Sequence, residues 1–299
     1  MKIKFKPLLS ILALFASANL HAMGKPLVVC LEEESPPYST EAGGIDNSVA
    51  LAVADAMGLP LAIHWYETEG GDEGNPALQI NALLSSNRCE LAGGFALTQN
   101  NFAAPGSQTF LLENSVGQRQ RVALKPLAPS LAYHAQAYTL IWSSAATGPI
   151  PTDLDEFENR AILVEENSVA DLILMAHRGG LLRKSIRHAK VGAKNLFTML
   201  AAGDFDGVWA PQHQFEEWQR HHAGSTLIPS GLIHDFSINL GFAALKSNYQ
   251  LLDRVDEIIE TLIDDGDIAA IFAEHKLSYR APSAPLLMPP LSARLLTPQ

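Results

Sequence analysis

Apolar and polar positions along the chain follow two periods, one helical and one strand-like. Ile80, Leu83 and Leu84 share a helical face, and Ser85-Ser86-Asn87 supplies turn chemistry. Leu91 to Leu97 is a short apolar run split by glycines, and it ends in polar Thr98-Gln99-Asn100-Asn101. The same grammar returns at Leu196 to Pro211: a helix, a turn with Gly203 and Asp204, then a strand. Two copies of one helix-turn-strand unit predict two similar α/β lobes.

The other periods fill in the frame. Pro26 to Leu31 reads as a first strand, running into Glu32-Glu33-Glu34-Ser35-Pro36-Pro37-Tyr38, where the prolines fix an extended loop. Carboxylates and an aromatic at a strand's C-terminal end lie where open α/β sheets bind ligands. Asp46 to Met57 is a helix stopped by Gly58, and Leu61 to Tyr66 is a second strand. Phe102 to Leu112 leads to Gln118–Leu124, an alternating run expected to cross between lobes, with Pro126 and Pro129 closing the crossing. Tyr138 to Trp142 opens the second lobe, and Ala161 to Val164 is a strand. Ser168 with Asp171 predicts a capped helix from Val169 to about His177. The N–H groups at that start either serve a plain cap or bind a polar ligand atom. Ser237 to Leu245 is a second crossing strand. Tyr249 to Phe272 is helical with a break at Gly266, and the proline-rich stretch from Ala281 is expected to hold little regular structure.

Composition narrows the function. The chain has 299 residues, 47% hydrophobic and 18% charged, a globular balance. Its formal net charge of −11 repels phosphate backbones and argues against nucleic acid. Lys2, Lys4 and Lys6 precede an apolar run from Leu8 to Ala18 that is too short to span a membrane. Residues 1–22 therefore read as a signal peptide cut near Ala22, although Leu20 departs from the small residue usual before the cut; a short membrane anchor is the alternative. Export places the chain in the periplasm, an oxidising compartment. There Cys30 and Cys89 form a disulfide or remain two buried thiols. A lipid anchor on Cys30 fits poorly, because Val29 is not small.

Chemistry-bearing clusters are few. The loop from Glu67 to Asn75 is rich in glycine and acids but lacks calcium-loop spacing, so it reads as a solvated loop. The run from Arg183 to Lys194 reads as a solvated basic face or a docking patch for an acidic partner. His213, His221, His222 and His234 fit no zinc spacing. No catalytic triad, Walker loop, dinucleotide fingerprint or metalloprotease motif occurs, which argues against an enzyme. No cofactor or metal is expected.

The order of motifs resembles a known family. Ser35-Pro36-Pro37-Tyr38 is followed by Gly44-Ile45-Asp46 entering a helix, then Asn87-Arg88-Cys89-Glu90-Leu91-Ala92-Gly93-Gly94. Ala201-Ala202-Gly203-Asp204-Phe205-Asp206-Gly207-Val208 and Asp264-Asp265-Gly266-Asp267-Ile268 follow. Over residues 26–280 this resembles the family 3 extracellular solute-binding proteins, periplasmic components of ABC importers. The resemblance implies an α/β, type II periplasmic-binding-protein fold whose two lobes close on a ligand about two crossing strands. It places lobe 1 at 23–123 plus 237–280, lobe 2 at 124–236 and a tail at 281–299.

The departures set the expected ligand. The family's carboxylate-gripping arginine would stand near Asn101, and no arginine lies between Arg88 and Arg119. The small hydroxyl residue two before Thr98 is Ala96, and the amino-group aspartate would fall near Ala210 or Pro211. Aromatic Tyr38, Phe95 and Trp209 stand with Gln99, Asn101, Asn167, Ser168 and Gln212, and with Glu33 or Glu34 nearby. Such a set suits an uncharged or largely apolar small molecule, or a cation over aromatic faces. The partner is then a membrane permease, and the protein a monomer. A second branch of the superfamily accompanies periplasmic quinoprotein dehydrogenases. Cysteines placed as Cys30 and Cys89 are similar to that branch, which would make the protein an accessory to an enzyme.

Overall fold

A computed structural model describes residues 24–68, 76–113, 117–190 and 195–289. The expected signal peptide, most of the acidic loop, Lys194 and the end of the tail lie outside them.

The first half opens with β1 (Leu27–Glu32), a two-residue hairpin of β2 (Glu34–Ser35) and β3 (Ser39–Thr40), and α1 (Ile45–Met57). Gly58 closes α1 in the left-handed conformation, as its position predicts. β4 (Leu61–Tyr66), α2 (Pro76–Ser85) and β5 (Leu91–Ala96) follow. β6 (Thr109–Glu113) and β7 (Arg119–Ala123) then pair in a separate two-stranded sheet. The run expected to cross between lobes is therefore a hairpin arm. Its alternation reflects one face against the core, with Val122 and Leu124 buried. The crossing strand is β8 (Leu127–Ser143), 17 residues long. Pro129 lies within it rather than at its end.

The second half holds β9 (Ile162–Glu165), α3 (Val169–Ala176), β10 (Ile186–Ala189), α4 (Leu196–Ala201), β11 (Gly207–Pro211) and α5 (Gln212–His221). β12 (Leu227–Leu245) returns as the second crossing strand, starting well before the expected Ser237. α6 (Tyr249–Asp264) and α7 (Asp267–Glu274) pack back on the first half, separated at Gly266.

These strands form one eight-stranded sheet in the order β10-β9-β11-β8-β12-β5-β1-β4. It is two copies of one arrangement. In each half three parallel strands meet one antiparallel crossing strand: β4, β1 and β5 against β12, and β10, β9 and β11 against β8. The two crossing strands pair with each other at the centre. Gly241 permits their close approach, since a Cβ there would lie 2.9 Å from Leu131 O. Cys30 on β1 and Cys89 before β5 are joined by a disulfide, inside a core shared with Leu83, Phe95 and Leu97.

Strand alternation sorts the side chains by face. On β8, Tyr138, Leu140 and Trp142 share a buried cluster with Trp209 and Ile238. Ile141 faces the other way, with Val208 and Ala210. The first face carries the candidate site.

Candidate functional site

On that face the crossing strands meet the ends of β9 and β11. A cavity of about 280 Å³ opens there, lined among others by Gln136, Tyr138, Ser168, Trp209, Pro211 and Ile238. Gln136 and Ile238 are register partners, so both side chains point into it. Glu165 also contributes, and burial raises its carboxyl above the usual range. Among the described residues no lysine or arginine lines the cavity.

Local sequence builds each wall. After β9 the chain turns at Asn167, in the left-handed region with φ 61°. Ser168 then caps α3, its Oγ accepting from Asp171 N–H at 3.1 Å. Asp171 reciprocates by accepting from Asn167 N–H at 3.1 Å, and it pairs with His188 Nε2 at 2.9 Å. Trp209 is 0% exposed and edge-on to Phe157. Its indole Nε1 is buried with no hydrogen-bond partner among the described residues. An orphaned buried donor of this kind costs about 1–3 kcal/mol.

Next to the cavity the two halves are tied together. Tyr38 stacks on His134, ring centres 5.7 Å apart, and its hydroxyl is 3.3 Å from His213 Nδ1. His213 Nε2 donates to Ser278 O at 2.7 Å, so Nδ1 is the acceptor for Tyr38. Glu216 accepts from Ser278 N–H at 2.9 Å, and Arg220 donates to His275 O at 2.7 Å. His134 is fully buried, and among the described residues neither ring nitrogen has a hydrogen-bond partner. Burial holds His134 and His213 below the ordinary histidine range.

The expected site residues separate into groups. Ser168 and Trp209 line the cavity, while Tyr38 and Ala96 pack at the edge of the same buried cluster. Phe95 does not face it. It is 3% exposed and packs edge-on to Phe102 in the disulfide core, because it alternates with Ala96. Thr98 bridges in parallel to Met288, and its hydroxyl accepts from Asn101 N–H at 3.3 Å. The Asn101 side chain turns back, donating to Ala96 O at 2.8 Å. Asn167 is exposed, and the Gln212 amide is taken by Glu216 at 2.8 Å. Glu33 and Glu34 line a different depression, with Pro36, Thr40 and Glu41. Sequence reasoning missed Gln136, Tyr138, Glu165 and Ile238. The signal for three of them was the long alternation through Leu127–Ser143 and Leu227–Leu245.

The other histidines find local partners. His221 Nε2 lies 3.0 Å from Glu217, and His222 stacks on Trp218 at 4.2 Å. Among the described residues no cluster of three or more His, Cys, Asp or Glu could hold a metal ion. No described helix is long and apolar enough to cross a membrane.

No protein-family model and no curated protein matches the chain. Solved structures do match in shape. A histidine kinase sensor domain with similarity to periplasmic binding proteins has a TM-score of 0.58 at 16% identity, covering 87% of this chain and 100% of that one. The L-cystine solute receptor of Neisseria gonorrhoeae, in its unliganded open conformation, has a TM-score of 0.60 at 13% identity, covering 86% and 95%. An ancestral cationic amino acid solute-binding protein also has a TM-score of 0.60, at 14% identity, covering 83% and 94%. The chain thus has the α/β, two-lobed fold of periplasmic binding proteins. Its strand order fits the type II arrangement expected from the sequence, with β8 and β12 as the hinge.

Proposed function

We propose that this is an exported solute-binding protein that encloses a small uncharged or largely apolar molecule between its lobes, for transport. The observation that carries this reading is the lining of the 280 Å³ cavity: Trp209, Tyr138, Ile238 and Val169, with Gln136, Gln214 and Ser168 as neutral polar groups and the carboxyl of Glu165 raised by burial toward its neutral form. A carboxylate finds no guanidinium there among the described residues, and Asn101 is spent on a backbone carbonyl. Trp209 N–H offers an acceptor on the ligand a buried partner, and the aromatic walls offer apolar contact. Support for ligand capture in general comes from the fold, since matching structures include a solute receptor and a solute-binding protein.

The test is thermal denaturation across a panel of neutral and amino-acid solutes. A true ligand at a hundredfold excess over its Kd adds about 2.7 kcal/mol of stability. Trp209→Phe keeps the ring packing and removes the indole donor. It is expected to cut that ligand's affinity about tenfold while leaving the unliganded protein folded. An α-amino acid as the best ligand, or undiminished affinity in the variant, would refute the reading.

A second reading is favoured by the ties already closed between the halves, from Tyr38 to His213 and from Arg220 to His275. Direct ties of this kind between the lobes suit an accessory to a periplasmic quinoprotein dehydrogenase. Co-purification with such an enzyme, with no solute shifting the melting temperature, would select it.

A further inference from the structure

The tail does something that neither the cavity nor the lobes require. From Arg280 to Leu287 it runs across the crossing strands on the face opposite the cavity, and Met288 then turns into the cluster on the cavity's own side. Ala135 and Asn239 are register partners, one step out of phase with Gln136 and Ile238, so Asn239 points away from the cavity. Asn239 is fully buried, and its side chain serves the tail alone. Its Nδ2 donates to Ser283 O at 2.7 Å, Pro285 O at 3.2 Å and Leu286 O at 3.1 Å. Its Oδ1 accepts from Ser283 N–H at 3.0 Å. Ala135 N–H donates to Arg280 O at 3.0 Å, fixing the start of the segment. At the far end Met288 N–H donates to Leu97 O and Gln99 N–H donates to Met288 O, both at 2.8 Å.

These contacts have the chemistry of peptide recognition. They read backbone carbonyls and N–H groups, and the final pair is strand addition to the end of β5. Side-chain recognition is concentrated at Met288, which is 7% exposed and sits in the cluster of Trp209, Tyr138 and Ile238. Leu286 and Leu287 add partial cover to the disulfide core. Ser283 and Ala284 remain exposed.

We propose that the rear of the hinge is a peptide-strand site, filled in cis by residues 283–288. Its ligand class is an extended peptide with an apolar side chain at the Met288 position. A partner's strand of that kind displaces the tail, and it then engages both crossing strands and the end of β5 at once. The inference goes beyond the small-solute reading and does not depend on it: Asn239 and the backbone contacts lie away from the cavity, and Met288 alone reaches the cluster behind its wall.

The test uses the full chain and a fluorescein-labelled peptide with the sequence of Ala281–Pro289, followed by fluorescence anisotropy. In the unaltered chain the tethered tail competes at an effective concentration in the millimolar range. In a Met288→Asp chain the tail carries a charge into an apolar cluster and releases the site, leaving every receiving residue intact. Saturable binding to the Met288→Asp chain, at least about tenfold tighter than to the unaltered chain, is expected. Adding Asn239→Ala should weaken that binding by about tenfold. Equal binding to both chains, or none to either, overturns the proposal. Amide hydrogen exchange on the unaltered chain checks it without any variant. Gln99 N–H, bonded to the tail, should exchange faster than Leu97 N–H, bonded to Asn239 O within the sheet. If both exchange only through global unfolding, the tail is a permanent strand and the proposal fails.

Discussion

Asp46 is a carboxylic acid in a place built for a neutral one, and Asp46→Asn tests this directly. The side chain is 2% exposed at the start of α1. Tyr133 O–H donates to its Oδ1 at 2.6 Å, and Gly94 N–H donates to the Tyr133 hydroxyl at 2.7 Å. Gly94 has φ 64° and must be glycine here, because a Cβ would fall 2.3 Å from Asp46 Oδ2. Two effects compete. The positive end of α1 favours the carboxylate by about 0.3–2 kcal/mol. Burial disfavours it and raises its pKa from 3.8 to about 7, with Glu32 adding to the rise and the Tyr133 hydrogen bond opposing it. That shift corresponds to about 4 kcal/mol, so burial wins. The sign follows from proton counting. Between pH 3.8 and about 7 the folded state binds more protons than the unfolded one, so this group's stabilisation is full below 3.8 and fades as pH rises through 7. Asparagine keeps the acceptor for Tyr133 and cannot ionise. Urea unfolding of both proteins at several pH values gives the difference between them, in which every other titration cancels. The variant should gain on the parent by about 2–3 kcal/mol between pH 5 and pH 7, and the gap should level off above pH 8. A pH-independent gap, or a parent that gains as pH rises, would show that the helix terminus holds Asp46 ionised.

Two further outcomes follow from the same structure. The disulfide closes a loop with a sequence separation of 59, so Cys30→Ser with Cys89→Ser should cost about 4 kcal/mol in urea unfolding; a loss under about 1 kcal/mol would place its stabilisation elsewhere. His134 and His213 face Tyr38, Phe272, Glu216 and each other, and burial keeps both neutral below the ordinary value of 6.5. The unfolded chain therefore takes up more protons as pH falls from about 6.5, and stability drops by up to about 1.4 kcal/mol per pH unit for each ring. His134→Phe, which discards two buried ring nitrogens, should flatten part of that acid limb, and an unchanged slope would remove His134 from it.

Much of the scaffold was legible because it is written in local terms. Gly58 after Met57 and Ser168 before Val169 mark ends that the structure places there. The first crossing strand was misplaced for a physical reason. Arg119–Ala123 and Leu127–Ser143 both alternate, and the prolines between and within them look like stops. Pro129 is tolerated because it lies near the N-terminal end of β8, where the strand irregularly pairs with Ala243. Phe95 was placed in the site by chemistry, although strict alternation puts it one face away from Ala96. Gln136 and Tyr138 could not be assigned, because a single sequence does not say which face of a crossing strand meets the ends of β9 and β11.

The two halves share one architecture, and the way they differ explains where the polar groups of the site come from. In a sheet of this order the natural sites for ligand contacts are the loops after β5 and β11. Here both are closed to that use. The loop after β5 folds Asn101 onto Ala96 O and gives Gln99 N–H to Met288. β11 ends in Pro211, which has no N–H to offer, and the next side chain, Gln212, is held by Glu216. What remains are groups fixed on other elements, among them Gln136 on β8, Glu165 at the end of β9, Ser168 at the start of α3, Gln214 on α5 and the indole N–H of Trp209. Gln136 and Ile238 belong to the strands about which the lobes would move, so a molecule seated there touches the hinge itself. The tail grips the same two strands from behind through Asn239 and Ala135. If both sites bias that hinge, occupancy of one face changes affinity at the other by the same factor as the reverse. Solute affinity measured in an Asn239→Ala chain, whose altered side chain hydrogen-bonds only to the tail among the described residues, should differ from that of the unaltered chain; equal affinities would mean that the two faces are energetically separate.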